Sequence, residues 1–319
     1  MQDLEQNGQP LYLGIDVSKR CLDVHAHPKG QRWQLSNDRA GLAQLIKALA
    51  GRQIGGIVFE ATGKYHRPLH RALYDAGLPC AMINPRHARH YAKALGIEAK
   101  TDALDAHMLA LFAMQVQPQS KPPTAENLNQ LKELVAARRA AAQSRTAAQN
   151  RLGETSLPLL RQLARARIKQ LEQQTCRIES AIHTLITSDP ALDARYQIIL
   201  SIPGMGPVNA FTCLAEMPEL GSADAKQIAA LAGLAPMARD SGLFKGKRCI
   251  RGGRKTVRNA LYMAALAASK CNPDLKAFYQ RLIQKGKPPK SALTAVMRKQ
   301  IILANTLIAQ NRKWTPKMP

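Results

Sequence analysis

This sequence of 319 residues lacks several features, and each lack excludes a class of protein. Its six cysteines form no Cys-x-x-Cys pair, so a zinc ribbon is not supported and we expect reduced thiols. Residues 260–268, the longest apolar stretch in the C-terminal half, are far too few to span a bilayer. Aromatic residues make up only 4% of the chain, which argues against a base-stacking platform as the main binding device.

Acidic residues are nearly missing from the C-terminal quarter. Residues 241–319 hold 18 basic residues and one acid, Asp274, so they carry +17 of the formal net charge of +24. A solvated surface usually mixes both signs, so this imbalance favours a surface for phosphate groups. The N-terminus has no apolar signal core. We therefore expect a cytoplasmic, nucleoid-associated protein whose partners are nucleic acids, with no membrane partner.

The order of elements in the first third indicates a mixed α/β domain. Hydrophobic periodicity predicts strands at 11–17, 21–27, 32–37, 55–62 and 80–85, and helices at 39–51, 65–77, 85–96 and 100–114. Three hairpin strands followed by alternating helices and strands are typical of a mixed sheet with helices on its faces.

Two long helices are predicted after a Pro- and Gln-rich linker at 115–124. They cover about 125–150 and 159–186. The second has an a/d seam with spacings of three and four, formed by Ile168, Leu171, Thr175, Ile178, Ile182 and Leu185. The seam packs either within a hairpin of one chain or between subunits. The predicted domains are 1–118, a coiled-coil connector at 119–188, and a basic helical domain at 189–319.

Four acids stand at unusual positions. Asp16 and Glu60 interrupt apolar runs that predict strands. Asp102 and Asp105 are three residues apart, so they lie on one face of a predicted helix. A carboxylate is costly inside a core-facing strand unless a positive group is held there. Hard oxygen ligands from several elements suit a pair of Mg²⁺ ions. A helix cap or a surface acid is the ordinary alternative for any one of them.

Residues 201–210, SIPGMGPVNA, resemble a helix–hairpin–helix turn. Gly204 and Gly206 permit a tight turn, and the N-terminus of the following helix would offer N–H groups to a phosphate. A plain helix connector explains the same residues equally well.

Ser241 follows Arg239 and Asp240 and precedes a cationic run. Its hydroxyl could attack a phosphodiester while the cations stabilise the transferring phosphoryl group. An inert turn is the alternative. The predicted phosphate contacts in this run are Lys245, Lys247, Arg248, Arg251, Arg254, Lys255 and Arg258.

The last segment supplies further candidate cations. Lys285, Lys287, Lys290, Arg298 and Lys299 are predicted to contact phosphates. Phe278 and Leu282 suit a helical core better than a contact role. The histidines at 66, 70, 87, 90 and 107 have no recognised ligand spacing, so we expect them on the surface or in a groove.

In combination, GIDVSK, FEATG, KTDALDA and the Ser-Gly, Gly-Gly-Arg, RxxLYMAA run resemble the DEDD-type transposases and the related Piv DNA invertases, the IS110 insertion-sequence family. The likeness extends from about Leu11 to about Asn311. It implies a ribonuclease-H-like (RuvC-like) domain, with Asp16, Glu60, Asp102 and Asp105 as metal ligands and Ser241 as the nucleophile. It also implies a structured non-coding guide, the bridge RNA, that pairs with donor and target DNA.

The expected mechanism is DNA cleavage and rejoining through a covalent serine–DNA link. The acids and the serine are far apart in sequence, so the site would be composite, and a homo-oligomer (dimer or tetramer) is expected. Two alternatives remain. One is a RuvC-like junction-resolving nuclease that uses water. The other is a non-catalytic scaffold that binds RNA or DNA.

Overall fold

The structure is a computed structural model that describes residues 9–61, 63–94, 102–237, 240–242, 244–246 and 248–316. For residues 102–104, 240, 244 and 245 within these ranges, the structure describes the backbone but not the side chains. The chain divides into two compact units, Met1–Thr124 and Ala125–Pro319.

A five-stranded mixed sheet forms the centre of the first unit. Its strands are β1 (Leu11–Val17), β2 (Cys21–His27), β3 (Gln31–Ser36), β4 (Ile54–Glu60) and β5 (Cys80–Ile83), in the order β3-β2-β1-β4-β5. The β1–β2 and β2–β3 pairs are antiparallel, and the β1–β4 and β4–β5 pairs are parallel. The predicted mixed α/β sheet is thus confirmed, and it is consistent with a ribonuclease-H-like fold.

Helices cover both faces of this sheet, because alternate residues of each strand point to opposite sides. The helices are α1 (Arg39–Leu49), α2 (His66–Asp75), α3 (Pro85–Ala94) and α4 (Asp102–Val116). Leu13 and Ile15 point into a core with α1 and α2. On the other face, Val58 and Ala81 pack against α3 and α4. The α1 helix begins at a cap in which Asp38 accepts a hydrogen bond from Gly41 N.

Gly14 allows α4 to approach β1 at backbone distance. A Cβ atom at Gly14 would lie 2.0 Å from Ala106 O and 2.3 Å from Ala110 N. Further along, Ala113 O lies 3.8 Å from the position of a Cβ at Gly56. In the β1–β4 register Gly56 lies beside Tyr12, two residues before Gly14, so α4 runs antiparallel to both strands. Its first residues therefore lie toward the carboxyl ends of β1 and β4.

A helical hairpin begins the second unit. It consists of α5 (Glu126–Glu154) and α6 (Pro158–Thr187), with Pro158 as the first residue of α6. Arg138 pairs with Glu179, and Arg145 pairs with Glu172, so the two helices are antiparallel. The predicted seam residues Leu171, Thr175 and Ile182 are buried, which agrees with the alternative of a hairpin within one chain.

In the described part of the second unit, six further helices surround one core. They are α7 (Pro190–Leu200), α8 (Pro207–Glu216), α9 (Ala225–Leu231), α10 (Lys255–Cys271), α11 (Pro273–Gln284) and α12 (Pro289–Ala309). Asn272 caps α11 by accepting from Leu275 N. Core residues of the hairpin, such as Leu131 and Ile186, join the same cluster as Ile199 and Leu261. A separate connector domain therefore stays a prediction.

Among the described residues, no helix is both long and apolar enough to cross a membrane. All six cysteines are free thiols, as the sequence predicts.

Candidate functional site

Two of the predicted acids lie side by side at the carboxyl ends of parallel strands. The β1–β4 register pairs Gly14 with Val58 and Ile15 with Phe59, and the next residues along the strands are Asp16 and Glu60. Since Gly14 and Val58 face α4, the strand alternation places Asp16 and Glu60 on that same face. Both acids are half-buried. Ligands of open α/β sheets bind at such carboxyl ends.

The α4 helix brings the other two acids toward the same end of the sheet. Asp105 directly precedes Ala106, whose carbonyl lies against Gly14, and Asp105 is half-buried. Asp102 is the first residue of α4, one helical turn earlier. The side chain of Asp102 lies outside the described part of the structure. The backbone thus brings Asp16, Glu60 and Asp105 toward one end of one face, the end at which α4 begins.

Sequence reasoning missed a fifth acid, Asp23. It pairs directly with Asp16 across the antiparallel β1–β2 ladder, so both side chains are on the α4 face. Its Oδ1 accepts a hydrogen bond from Gln34 Nε2 at 2.8 Å. Like charges directly opposite each other destabilise a sheet, and a bound cation would offset that repulsion. The alternation of Asp23 with Leu22 and Val24 was the available signal.

This donor set fits a hard divalent cation in its chemistry. Carboxylate oxygens on two adjacent strands and on the helix packed over them are the ligands that Mg²⁺ prefers. Within the described residues, no three His, Cys, Asp or Glu side chains already converge as ligands of one ion. Asp102, whose side chain is not described, is one of the four predicted ligands. The metal site therefore stays a prediction.

A chain of three side chains borders the acids on the β2 side. Arg32 Nε donates to His25 Nδ1 at 3.3 Å, and His25 Nε2 lies 2.9 Å from His107 Nδ1. Arginine can only donate, so His25 Nδ1 accepts and its proton is on Nε2. His25 then donates to His107. This contact ties α4 to β2 two residues after Asp105.

Burial keeps His25 neutral. The side chain is only 3% exposed, and this desolvation lowers its pKa from 6.5 to about 4, with His107, Arg32 and His27 adding to the effect. His107 has its pKa lowered too, mainly by burial. His70, expected on the surface or in a groove, is instead buried beside Lys121 O at 2.9 Å.

Ser241 lies in the segment between α9 and α10, residues 232–254, which we call the excursion. The excursion contains four short strands, β6 (Pro236–Met237), β7 (Asp240–Ser241), β8 (Phe244–Lys245) and β9 (Cys249–Ile250). The β6 strand pairs with β9, and β7 pairs with β8, where Ser241 faces Phe244. Ser241 is exposed, as a nucleophile for a polymeric substrate must be.

The predicted phosphate contacts differ in their surroundings. Exposed cations are Arg248, Arg251, Lys255, Lys285, Lys287, Lys290 and Lys299. Lys247 and the side chain of Lys245 lie outside the described residues. Arg298 is half-buried, and Lys299 Nζ lies 4.1 Å from the centre of the Phe278 ring. Arg254 and Arg258 make contacts inside the unit.

The glycines of the predicted hairpin turn lie between α7 and α8. Gly204 has φ +94°, and a Cβ there would lie 2.7 Å from Ala268 Cβ on α10, so this glycine serves close packing. Gly206 is the N-cap of α8, and a Cβ there would meet open space. Phosphate binding by this turn stays a prediction.

Comparisons with known proteins identify the family that this sequence resembles. Residues 13–162 match a family model for the DEDD transposases of IS110, and residues 196–280 match the model described as "Transposase IS116/IS110/IS902 family". The "Pilin gene-inverting protein" of Moraxella bovis is 29% identical over 96% of this chain and 98% of its own length. The corresponding Moraxella lacunata protein is 28% identical over the same shares. The "Insertion element IS900 uncharacterized 42 kDa protein" of Mycobacterium paratuberculosis is 29% identical over 97% of this chain and 98% of its own length.

Proposed function

Because this chain belongs to the IS110 family of transposases and is a DNA-recombining enzyme, we propose that it cuts and rejoins DNA strands with Mg²⁺ and a serine nucleophile under the guidance of a bridge RNA. Asp16, Glu60, Asp102 and Asp105 hold the metal in this proposal. The substrates are a donor and a target DNA.

One observation carries the metal assignment. Asp16 and Glu60 are neighbours on one face of the sheet, and the helix that bears Asp102 and Asp105 begins at that end of the same face. A divalent cation held by these hard oxygen donors would supply Lewis-acid polarisation of the scissile phosphate. The protein's own task is to hold these oxygens in place, and the contact of α4 with Gly14 does so.

The proposed nucleophile is the Ser241 hydroxyl. Its Oγ forms a bond to phosphorus while one P–O bond of the strand breaks. The serine proton leaves to a base, and the released strand end takes up a proton to become a hydroxyl. A hydroxyl of another strand end reverses these steps, so the strand is rejoined without hydrolysis. The exposed cations Arg248 and Arg251, which follow Ser241 in the sequence, stabilise the phosphate charge in this proposal.

Replacing the serine tests the nucleophile. With Ser241→Ala we expect no covalent protein–DNA adduct on a denaturing gel, while DNA binding is retained. Ser222→Ala is the control, because that hydroxyl contacts Glu219 O and lies outside the excursion. An adduct that still forms in Ser241→Ala would make the nucleophile assignment wrong. Strand cleavage without any adduct in the native protein would favour a nuclease that uses water.

Replacing an acid tests the metal role. With Asp16→Asn we expect cleavage to fall by about a hundredfold or more, since a charged ligand is lost with little change in shape. Binding of Mn²⁺ to the DNA-free protein, measured by electron paramagnetic resonance, should weaken in parallel. Asp75→Asn, at the end of α2, is the control. Unchanged Mn²⁺ binding in Asp16→Asn would contradict the proposal.

Guidance by RNA is supported by the charge of the second unit. The cationic residues after Ser241 suit backbone contacts, and base pairing in a guide would then select the sequence. A structured transcript from DNA beside the gene, complementary to the element's ends, should bind and stimulate adduct formation. A scrambled transcript is the control, and equal stimulation by both would contradict guidance.

A homo-oligomer, dimer or tetramer, is part of the proposal. Exchange between two duplexes needs more than one nucleophile, and one chain has one Ser241. Mass photometry of the protein with RNA and DNA should show at least two chains, and a complex with a single chain would overturn this point.

A further inference from the structure

We propose that Arg258 and the Arg254–Glu219 pair are positioning residues for the segment that bears Ser241, and that Arg254 and Arg258 are not phosphate contacts. We call residues 236–250 the serine loop. This inference rests on the proposed function, in which Ser241 is the nucleophile. It differs from what the cationic sequence pattern predicts for both arginines.

The two ends of the serine loop meet at their base. Pro236 pairs with Ile250, and Met237 pairs with Cys249. Just outside these pairs, Gly233 and Gly253 touch through their backbones. A Cβ at Gly253 would lie 2.2 Å from Gly233 N, and both glycines have positive φ. The loop therefore leaves and re-enters the unit at one narrow point.

Arg258 joins both ends of the loop through a single nitrogen. Its Nη1 donates to Gly252 O at 2.8 Å, after the loop, and to Gly233 O at 3.3 Å, before it. The missing side chain of Gly233 makes room, because a Cβ there would lie 2.3 Å from Arg258 Nη1. Arg258 extends from α10, one helical turn after Arg254, so the two ends are fixed to that helix.

Arg254 fixes the same point to α9 and to the turn between α8 and α9. Its backbone N donates to Leu231 O at 2.7 Å, and its guanidinium forms a bidentate pair with Glu219, with both N–O distances 2.6 Å. Burial raises the pKa of Glu219, but hydrogen bonds and charge from Arg254 outweigh this effect and lower the pKa overall. The carboxylate neutralises Arg254, which leaves that residue little attraction for a phosphate.

The bidentate contact explains why arginine, not merely a cation, stands at position 254, whereas Arg258 uses the length of its side chain to place Nη1 between two carbonyls. A lysine has a single nitrogen and cannot form the bidentate pair, and its ammonium lacks the planar geometry of the fork. An error of about 1 Å in the position of a reacting atom can cost a hundredfold in rate. Fixing the base of the serine loop thus limits where Ser241 can reach.

The first test is Arg258→Lys, which keeps the charge but has a side chain one bond shorter, so that its nitrogen no longer reaches the position between Gly233 O and Gly252 O. If Arg258 positions the loop, adduct formation at saturating DNA falls about tenfold or more. Amide exchange in residues 236–250 becomes faster, while the DNA Kd and its salt dependence stay within about twofold. If Arg258 contacts phosphate, lysine preserves the adduct rate and the exchange, and the inference is overturned.

Glu219→Gln provides a second, independent variant. Removing a negative charge should strengthen DNA binding or leave it unchanged. The inference nevertheless requires slower adduct formation and faster amide exchange in the serine loop. Unchanged exchange and an unchanged adduct rate would overturn it. The control for a true phosphate contact is Arg251→Gln, for which DNA affinity falls and the salt slope drops by about one while loop exchange does not change.

Two adjacent glycines offer a matched pair. Gly252 and Gly253 both have positive φ, but a Cβ at Gly252 meets nothing within 4 Å. Gly253→Ala should therefore speed loop exchange far more than Gly252→Ala, and equal effects would count against the inference. Amide exchange is measured without DNA cleavage, so it does not depend on which group is the nucleophile. If Ser241 were not the nucleophile, the exchange data would still decide whether these residues fix the loop.

Discussion

At the scale of single residues, polar side chains in the first unit are held in place by hydrogen bonds to one another as well as by packing against the core. His25 is almost fully buried, yet both of its ring nitrogens have partners, Arg32 on one side and His107 on the other. A buried imidazole with both nitrogens paired avoids the cost of an unsatisfied polar group. The same contacts hold His25 in its neutral form.

The low pKa of His25 makes stability depend on pH. Its pKa is about 4 in the folded protein and 6.5 when exposed, so the unfolded chain binds the proton first as pH falls. Stability is full above pH 6.5 and declines as pH falls toward 4, by up to about 3 kcal/mol from this residue. Urea unfolding at pH 7.5 and pH 5 measures the decline.

Variants at two histidines test whether His25 causes this loss of stability at low pH. His25→Gln should be less stable at pH 7.5 but should lose less stability on acidification than the native chain. The exposed His183 on α6 gives the control, since His183→Gln should leave the decline unchanged. An equal decline in His25→Gln and the native protein would show that another group is responsible.

At the scale of elements, one glycine, Gly14, determines how closely the acid-bearing helix α4 packs on the sheet. The absence of a side chain at Gly14 lets Ala106 and Ala110 of α4 rest directly on β1. Since Asp105 precedes Ala106, the depth of this contact also determines the height of that carboxylate above Asp16. Packing and the proposed metal site therefore depend on one contact.

Gly14→Ala should be strongly destabilising. The new Cβ would collide with backbone atoms of α4, which cannot rotate away as a side chain can, and we expect a loss of about 2–4 kcal/mol or more. Gly56→Ala is the matched control on the same face, because its nearest neighbour would be at 3.7 Å. Denaturant unfolding compares the two, and similar losses would contradict the close contact.

At the scale of the whole molecule, charge is divided unequally along the chain. The cations of the last 79 residues have almost no acids among them, and several are exposed between the end of α11 and the first turn of α12. Counterion release then makes nucleic-acid binding depend steeply on salt. Cations elsewhere, such as those on α1 and α2, cover the sheet face opposite to the acids.

Two triple variants test this division. Replacing Lys285, Lys287 and Lys290 with Gln should reduce the slope of log K against log salt by about 2–3. Replacing the exposed Arg39, Lys47 and Arg71 on α1 and α2 with Gln removes the same charge and should change the slope by less than about one. Equal changes would show that binding follows total charge and not the C-terminal surface.

The sequence was enough to predict the strands and helices of the first unit, because their periodicities are clear and short turns separate them. It also singled out Asp16 and Glu60 as candidate ligands, since carboxylates inside apolar strands are conspicuous. Asp23 escaped notice because its pairing with Asp16 depends on strand register, which residue types alone do not fix. Arg254 and Arg258 looked like ligands of phosphate because a charge count cannot reveal partners such as Glu219, which is distant in sequence.

The contact between Gly204 and Ala268 has a consequence for how such chains diverge. The two positions are 64 residues apart in the sequence, yet the gap between them has no room for even one more methyl group. Any lineage that enlarged the residue at 268 would have to move the α7–α8 turn. Drift at these sites is therefore confined to the smallest side chains, whatever DNA each descendant comes to recognise.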